Sequence, residues 1–138
     1  MKKFETFPHT ADIGLRIYGN NLEDLFINAG EGILFLMREE KNIEEKEIYD
    51  FQIESNYLEM LLYKFLNEFI YLFDTKNLIA KKFIIEKFSE KNLKGKIFGE
   101  IFNPNKHSIK YAIKSCTLED MKIEKIDSLY KVEIIFDI

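Results

Sequence analysis

A histidine and a carboxylate stand three apart in Pro8-His9-Thr10-Ala11-Asp12, in what reads as a short link between two strands, where binding groups are often presented. The spacing alone leaves two readings open. Either Asp12 closes a turn with its own hydrogen bond and His9 sits half-buried, or the pair serves a site. The other end of the chain adds weight to the second. The alternation Tyr130, Val132, Ile134, Phe136, Ile138 runs to the last residue, so an α-carboxylate is expected against the fold beside Asp137. Two adjacent anions held there repel and lose hydration unless lysine, several donors or a metal ion compensates. If the Asp12 link lies beside them, three carboxylate groups converge, which suits a hard cation such as calcium or magnesium rather than zinc.

Other chemistries lack their parts. The sequence has no GxGxxG, no GxxxxGK[ST], no GxSxG and no HExxH, so the usual phosphate-binding loops, the hydrolase elbow and the zinc-protease helix are missing. His9, His107 and Cys116 are the only nitrogen or sulfur ligands and have no finger spacing. Cys116 is alone, with apolar neighbours at alternate positions, and reads as a small core hydrophobe in a protein of a reducing compartment. The net charge is -4, and only Arg16 and Arg38 among the 20 basic residues are arginines. A broad arginine surface for clamping nucleic-acid phosphates is therefore absent, and independent RNA or DNA binding is not expected. No stretch has the length of a signal peptide or membrane span, so a cytoplasmic protein is expected.

These groups need a frame. With 138 residues, 46% hydrophobic and 32% charged, the chain suits one domain, residues 1–138, with a single core. Strands are read at Phe4 to Phe7 and Ile13 to Tyr18. Asn21 caps a helix whose apolar face runs from Leu22 to about Met37 and contains Gly30 and Gly32, small residues that allow close approach. A charged, solvated loop spans Arg38 to Lys46, followed by a strand with Tyr49, Phe51 and Ile53. A second, central helix carries Leu58, Leu61, Leu62, Phe65, Leu66, Phe69, Ile70 and Phe73, with Asn56 and Glu59 placed as a capping box and a turn at Asp74 to Asn77. Strands follow around Phe83 to Phe88, Leu93 to Phe102, Ile109 to Leu118 and Tyr130 to Ile138, with a turn at Asn103 to Lys106. Two helices and six or seven strands without strict alternation predict an α+β layered domain: a mainly antiparallel sheet with both helices on one face.

His9-Thr10-Ala11-Asp12-Ile13-Gly14, then Tyr18-Gly19 and Leu22-Glu23-Asp24-Leu25-Phe26, resembles the opening of the archease family. Leu61-Leu62-Tyr63 through Leu66-Asn67-Glu68 to Tyr71-Leu72-Phe73-Asp74-Thr75 resembles its central helix and exit. Tyr111-Ala112-Ile113-Lys114 through Thr117 is similar to its penultimate motif, and Ile135-Phe136-Asp137-Ile138 to its ending. The resemblance implies a non-catalytic partner of an RtcB-type RNA ligase, the GTP- and manganese-dependent enzyme that joins 3′-phosphate or 2′,3′-cyclic-phosphate ends to 5′-hydroxyl ends in tRNA splicing and RNA repair. Such a partner promotes guanylylation of the ligase and repeated turnover. The resemblance also implies a metal site, usually described with calcium, at Asp12, Asp137 and the carboxylate of Ile138. His9 would support the Asp12 link. Two positions depart from the family pattern: Pro8 stands where an acid is common, and Leu118-Glu119 where an aromatic and a histidine are common. Glu119 either adds an oxygen near the site or solvates the strand end, the second being favoured. The competing reading is a chaperone-like interaction module whose cation is structural.

Overall fold

The computed structural model describes residues 2–9, 12–39 and 42–138. Along the chain come β1 (Phe4–His9), β2 (Asp12–Gly19), α1 (Leu22–Met37), β3 (Glu47–Glu54), α2 (Leu58–Lys76), β4 (Leu78–Phe88), β5 (Asn92–Ile101), β6 (Ser115–Cys116), β7 (Glu124–Ile126) and β8 (Leu129–Asp137). The expected α+β class is present, with antiparallel pairing throughout. The strands divide, however, between two sheets rather than forming one. The larger runs β1-β2-β8-β6, with β7 also on β8, and the smaller runs β3-β5-β4. Alternation tells which face of a strand is buried but not which strand it pairs with, and pairing is what separates the sheets.

Both helices pack against both sheets, α1 chiefly on β2 and β4, α2 on β3, β4, β5 and β6. One core results. Its knot is the buried Phe65 of α2, whose ring lies 6.3 Å from Phe26 of α1, 5.6 Å from Phe51 of β3 and 5.6 Å from Phe83 of β4. Stacked, tilted and edge-on pairs of this kind contribute roughly 0.5–1.5 kcal/mol each beyond their burial. Gly30 explains how β4 comes so close to α1: a Cβ there would stand 2.4 Å from Cζ of Phe83.

Helix starts differ in how far they obey local signals. The Asn21 side chain accepts from the Asp24 N–H at 2.8 Å, with Glu23 and Asp24 in the first turn, as expected. At α2 the cap is Tyr57 without a side-chain bond, not Asn56. Glu59 accepts instead from the Ile123 N–H at 3.0 Å, so a donor 64 residues away displaces the capping box. Asn77 ends α2 in the left-handed conformation, its N–H bonding the Leu72 and Phe73 carbonyls.

The strand read from Ile109 to Leu118 shrinks to Ser115–Cys116. Its first half is diverted, because Lys110 and Tyr111 donate to the carbonyls of Met37 and Leu36 at the end of α1. β4 starts at Leu78, five residues before the expected point, and β7 adds a short strand where the sequence predicts none. Among its described residues the Arg38–Lys46 segment carries no helix. Its Glu40 and Lys41 lie outside the described residues, and its Ile43 is buried.

Candidate functional site

Period two sorts β2 into a buried face, Ile13, Leu15 and Ile17, and an outward face, Asp12, Gly14, Arg16 and Tyr18. The pairing of β2 with β1 and β8 then lays outward residues in rows across the larger sheet. The Glu5–Arg16–Glu133 row places a cation between two acids. Arg16 Nη1 bonds Glu5 Oε1 at 2.8 Å and its Nε bonds Glu133 Oε2 at 2.5 Å. Arg16, helped by Lys2 and Tyr18, holds the Glu5 carboxyl down at about 2. The next row is Phe7–Gly14–Ile135. The Phe7 ring lies across Gly14, where a Cβ would meet it at 2.3 Å, and the Arg16 guanidinium stands 4.9 Å from the ring centroid.

The last row is His9–Asp12–Asp137–Ser115, spanning β1, β2, β8 and β6. Asp12 and Asp137 are direct cross-strand partners. Like charges so placed are destabilising, yet among the described residues neither carboxylate has a lysine or arginine within 4.0 Å. Asp12 has the His9 Nδ1 at 3.5 Å, and Asp137 accepts a 2.7 Å bond from the Ser115 hydroxyl. Lys114 N–H bonds the Asp137 carbonyl and Thr117 N–H the Ile135 carbonyl, which docks the Ser115 segment on β8. Beneath the row, Cys116 packs inward; burial first, and the Asp137 charge with it, pushes its thiol up to about 12.

The structure thus brings His9, Asp12 and Asp137 into one row, with Ile138 one residue beyond it. Glu119 lies in an exposed turn four residues past Ser115. Thr10 and Ala11, the middle of the expected link, lie outside the described residues; His9 and Asp12 themselves end and begin strands. No three side chains of His, Cys, Asp or Glu form a metal cluster among the described residues, so two side-chain carboxylates are what the row offers. Their chemistry, oxygen donors without a cationic partner, fits a hard cation.

Two features escaped the sequence. Ser115 is one; placing Cys116 inward implies an outward Ser115, but only the register reveals its partner. The other is a buried polar cluster outside the row. His107 accepts the Asn103 N–H at Nδ1 (2.9 Å), leaving Nε2 to donate to Glu100 Oε1 at 2.8 Å. Glu100 also accepts from Lys106 Nζ at 2.9 Å and the Glu44 N–H at 3.1 Å, and Lys106 chiefly draws its carboxyl down to about 2. This cluster clips two loops onto β5 and leaves none of the three side chains unpaired.

Residues 4–138 match the model of the Archease protein family (MTH1598/TM1083). The chain belongs to the archease family. It is 39% identical to protein archease of Sulfurisphaera tokodaii over 100% of both chains, and 43% identical to that of Thermococcus kodakarensis over 91% of both. Its fold is similar to the solution structure of protein 1598 of Methanobacterium thermoautotrophicum, with TM-score 0.74, 30% identity and full coverage of both chains. It is also similar to the crystal structure of an archease of Thermotoga maritima described as a "possible chaperone", with TM-score 0.68, 24% identity and coverage of 100% of this chain and 98% of that one. The archease match spans every element that builds the carboxylate row, from β1 through β8.

Proposed function

We propose that the chain is a non-catalytic activator of an RtcB-type RNA ligase, promoting ligase guanylylation and multiple turnover in tRNA splicing and RNA repair, in the cytoplasm and without binding membrane or DNA. The single observation that carries the proposal is the contrast between two rows of one sheet. Glu5 and Glu133 flank Arg16, whereas Asp12 and Asp137 stand side by side with no cationic side chain within 4.0 Å among the described lysines and arginines. Such a pair suits a divalent cation, calcium above all, which Asp12, Asp137 and the Ile138 carboxylate would hold, with Ser115 orienting Asp137 and His9 flanking Asp12. The bound ion would supply a positive centre on an outward acidic surface, a feature that a partner protein can recognise.

The alternative is a chaperone-like module with a structural cation; the Thermotoga maritima archease is described as a "possible chaperone". The position of the row favours the first reading. The Asp12 side chain is 24% exposed on the solvent face of the sheet, where a partner can reach an ion held there. Labelled GTP with the cognate ligase tests the proposal: the chain should speed label transfer to the ligase and itself remain unlabelled. A rate unchanged by the chain, or label on the chain, overturns it.

A further inference from the structure

We infer that Ser115 sets the ion preference of the carboxylate row: by holding one oxygen of Asp137 it makes that carboxylate a one-oxygen ligand, which narrows the margin by which calcium is favoured over magnesium. The inference rests on the cation site proposed above and concerns how this chain's own oxygens are disposed there. The two carboxylates of the row are unlike. Asp12 has the His9 Nδ1 at 3.5 Å, beyond the length of an ordinary hydrogen bond, so among the described residues no donor holds either of its oxygens. Asp137 Oδ2 accepts the Ser115 hydroxyl at 2.7 Å, the length of a charge-assisted O–H···O bond. Oδ1 is then its one oxygen without a donor among the described residues.

The backbone keeps the serine in this position. Ser115 has Asp137 itself as its register partner, and Cys116 pairs with Phe136. On one side the Lys114 N–H bonds the Asp137 carbonyl at 2.9 Å, and on the other the Thr117 N–H bonds the Ile135 carbonyl at 2.9 Å. Cys116, 3% exposed, anchors the segment from within, and period two then turns Ser115 outward beside the carboxylate. A serine has one O–H to donate, and this one goes to Asp137. The bond is in place before an ion arrives, so an ion that takes both Asp137 oxygens must compete with the hydroxyl for Oδ2.

That competition does not weigh equally on the two ions. Calcium accepts a large and flexible oxygen shell and takes carboxylates through one oxygen or both, whereas magnesium demands a near-ideal octahedron and keeps several waters. The narrow bite of a two-oxygen carboxylate does not fit an octahedron, so the second Asp137 oxygen strengthens calcium binding and adds little for magnesium. Holding Oδ2 therefore weakens calcium and leaves magnesium nearly as it was. Ser115 also fixes where Asp137 stands, an effect that both ions share. The ratio of the two affinities separates the number of oxygens offered from simple positioning.

Isothermal titration of the chelator-treated full chain with calcium chloride and, separately, with magnesium chloride reads both Kd values. The parent should bind both ions, calcium more tightly. In Ser115→Ala the ratio of the magnesium Kd to the calcium Kd should rise by about threefold or more, while Ser115→Thr, which keeps the hydroxyl, should hold the parent's ratio. If Ser115→Ala fails to fold, Ser115→Cys, close in size and only a weak donor, is measured in its place under reducing conditions. Kd values that change by the same factor for both ions in the folded variant, a ratio that falls, or a parent that binds calcium but no magnesium would each overturn the role of Ser115 and leave the cation site standing. A parent that binds neither ion overturns the cation site, and this inference with it.

Discussion

Asp12→Asn should stabilise the protein in chelator and destabilise it, relative to the parent, in calcium. The perturbation removes one of two like charges on directly paired residues while nearly keeping side-chain shape. Carboxylates about 6 Å apart repel by roughly 0.7 kcal/mol at a dielectric constant near 80 and roughly 3 kcal/mol near 20. The Asp12 side chain is 24% exposed, and measured cross-strand charge pairs contribute about 0.2–1 kcal/mol, so the lower figure governs. Losing the 3.5 Å approach of His9 returns a few tenths of a kcal/mol, as for other exposed pairs. The net gain is about 0.5 kcal/mol, or a Tm rise of about 2 °C for a domain of this size. With calcium at a hundred times its Kd the parent gains about 2.7 kcal/mol by mass action, about 10 °C in Tm, and the variant gains much less. Scanning calorimetry of both proteins in EDTA and in calcium reads the result. The account requires the order of the two Tm values to invert between the buffers, and the same order in both would refute it.

Moving the α-carboxylate away with a short Gly-Ser extension after Ile138 should leave folding intact and shrink the calcium-induced Tm shift; an equal shift in extended and parent proteins would remove the Ile138 carboxylate from the site. Glu100 titrates at about 2 against an ordinary value of 4.5, so its stabilisation is complete above about pH 4.5 and is lost as pH falls from there toward 2, where the unfolded chain takes up the proton first. Glu100→Gln should therefore lower Tm at pH 7 and flatten the fall in Tm between pH 4.5 and 2, and parallel Tm curves for the two proteins would contradict this. The buried Cys116 thiol, raised to about 12, should resist thiol reagents at pH 8 until the protein is denatured; native-state labelling at the rate of a free thiol would mean that the Ser115 segment does not stay docked on β8.

Sequence reasoning reached as far as local periodicity and capping reach. The faces of β2, β8 and both helices were readable from apolar spacing, and Asn21 caps as its position suggests. Failures came where a distant group competes with a local signal. Glu59 serves Ile123 rather than its own helix start, and Lys110 and Tyr111 bond the end of α1 rather than a strand. For the same reason the division into two sheets was hidden, since β3 pairs with β5 across α2. Asp12 and Asp137 were each readable, but their direct pairing is a matter of register, as is the Ser115 bond to Asp137. His107 and Glu100 gave no sign of each other; a buried histidine seven residues from an acid is recognisable only once a turn folds one onto the other.

Multiple-turnover ligation with limiting cognate ligase tests the central claim most directly, using an RNA with 2′,3′-cyclic-phosphate and 5′-hydroxyl ends and comparing the parent with Asp137→Asn. The account predicts that the parent raises the number of ligations per ligase well above one, while Asp137→Asn, folded to the same extent, leaves the ligase near a single turnover. Equal turnover with parent and variant, or with and without the parent, would contradict it.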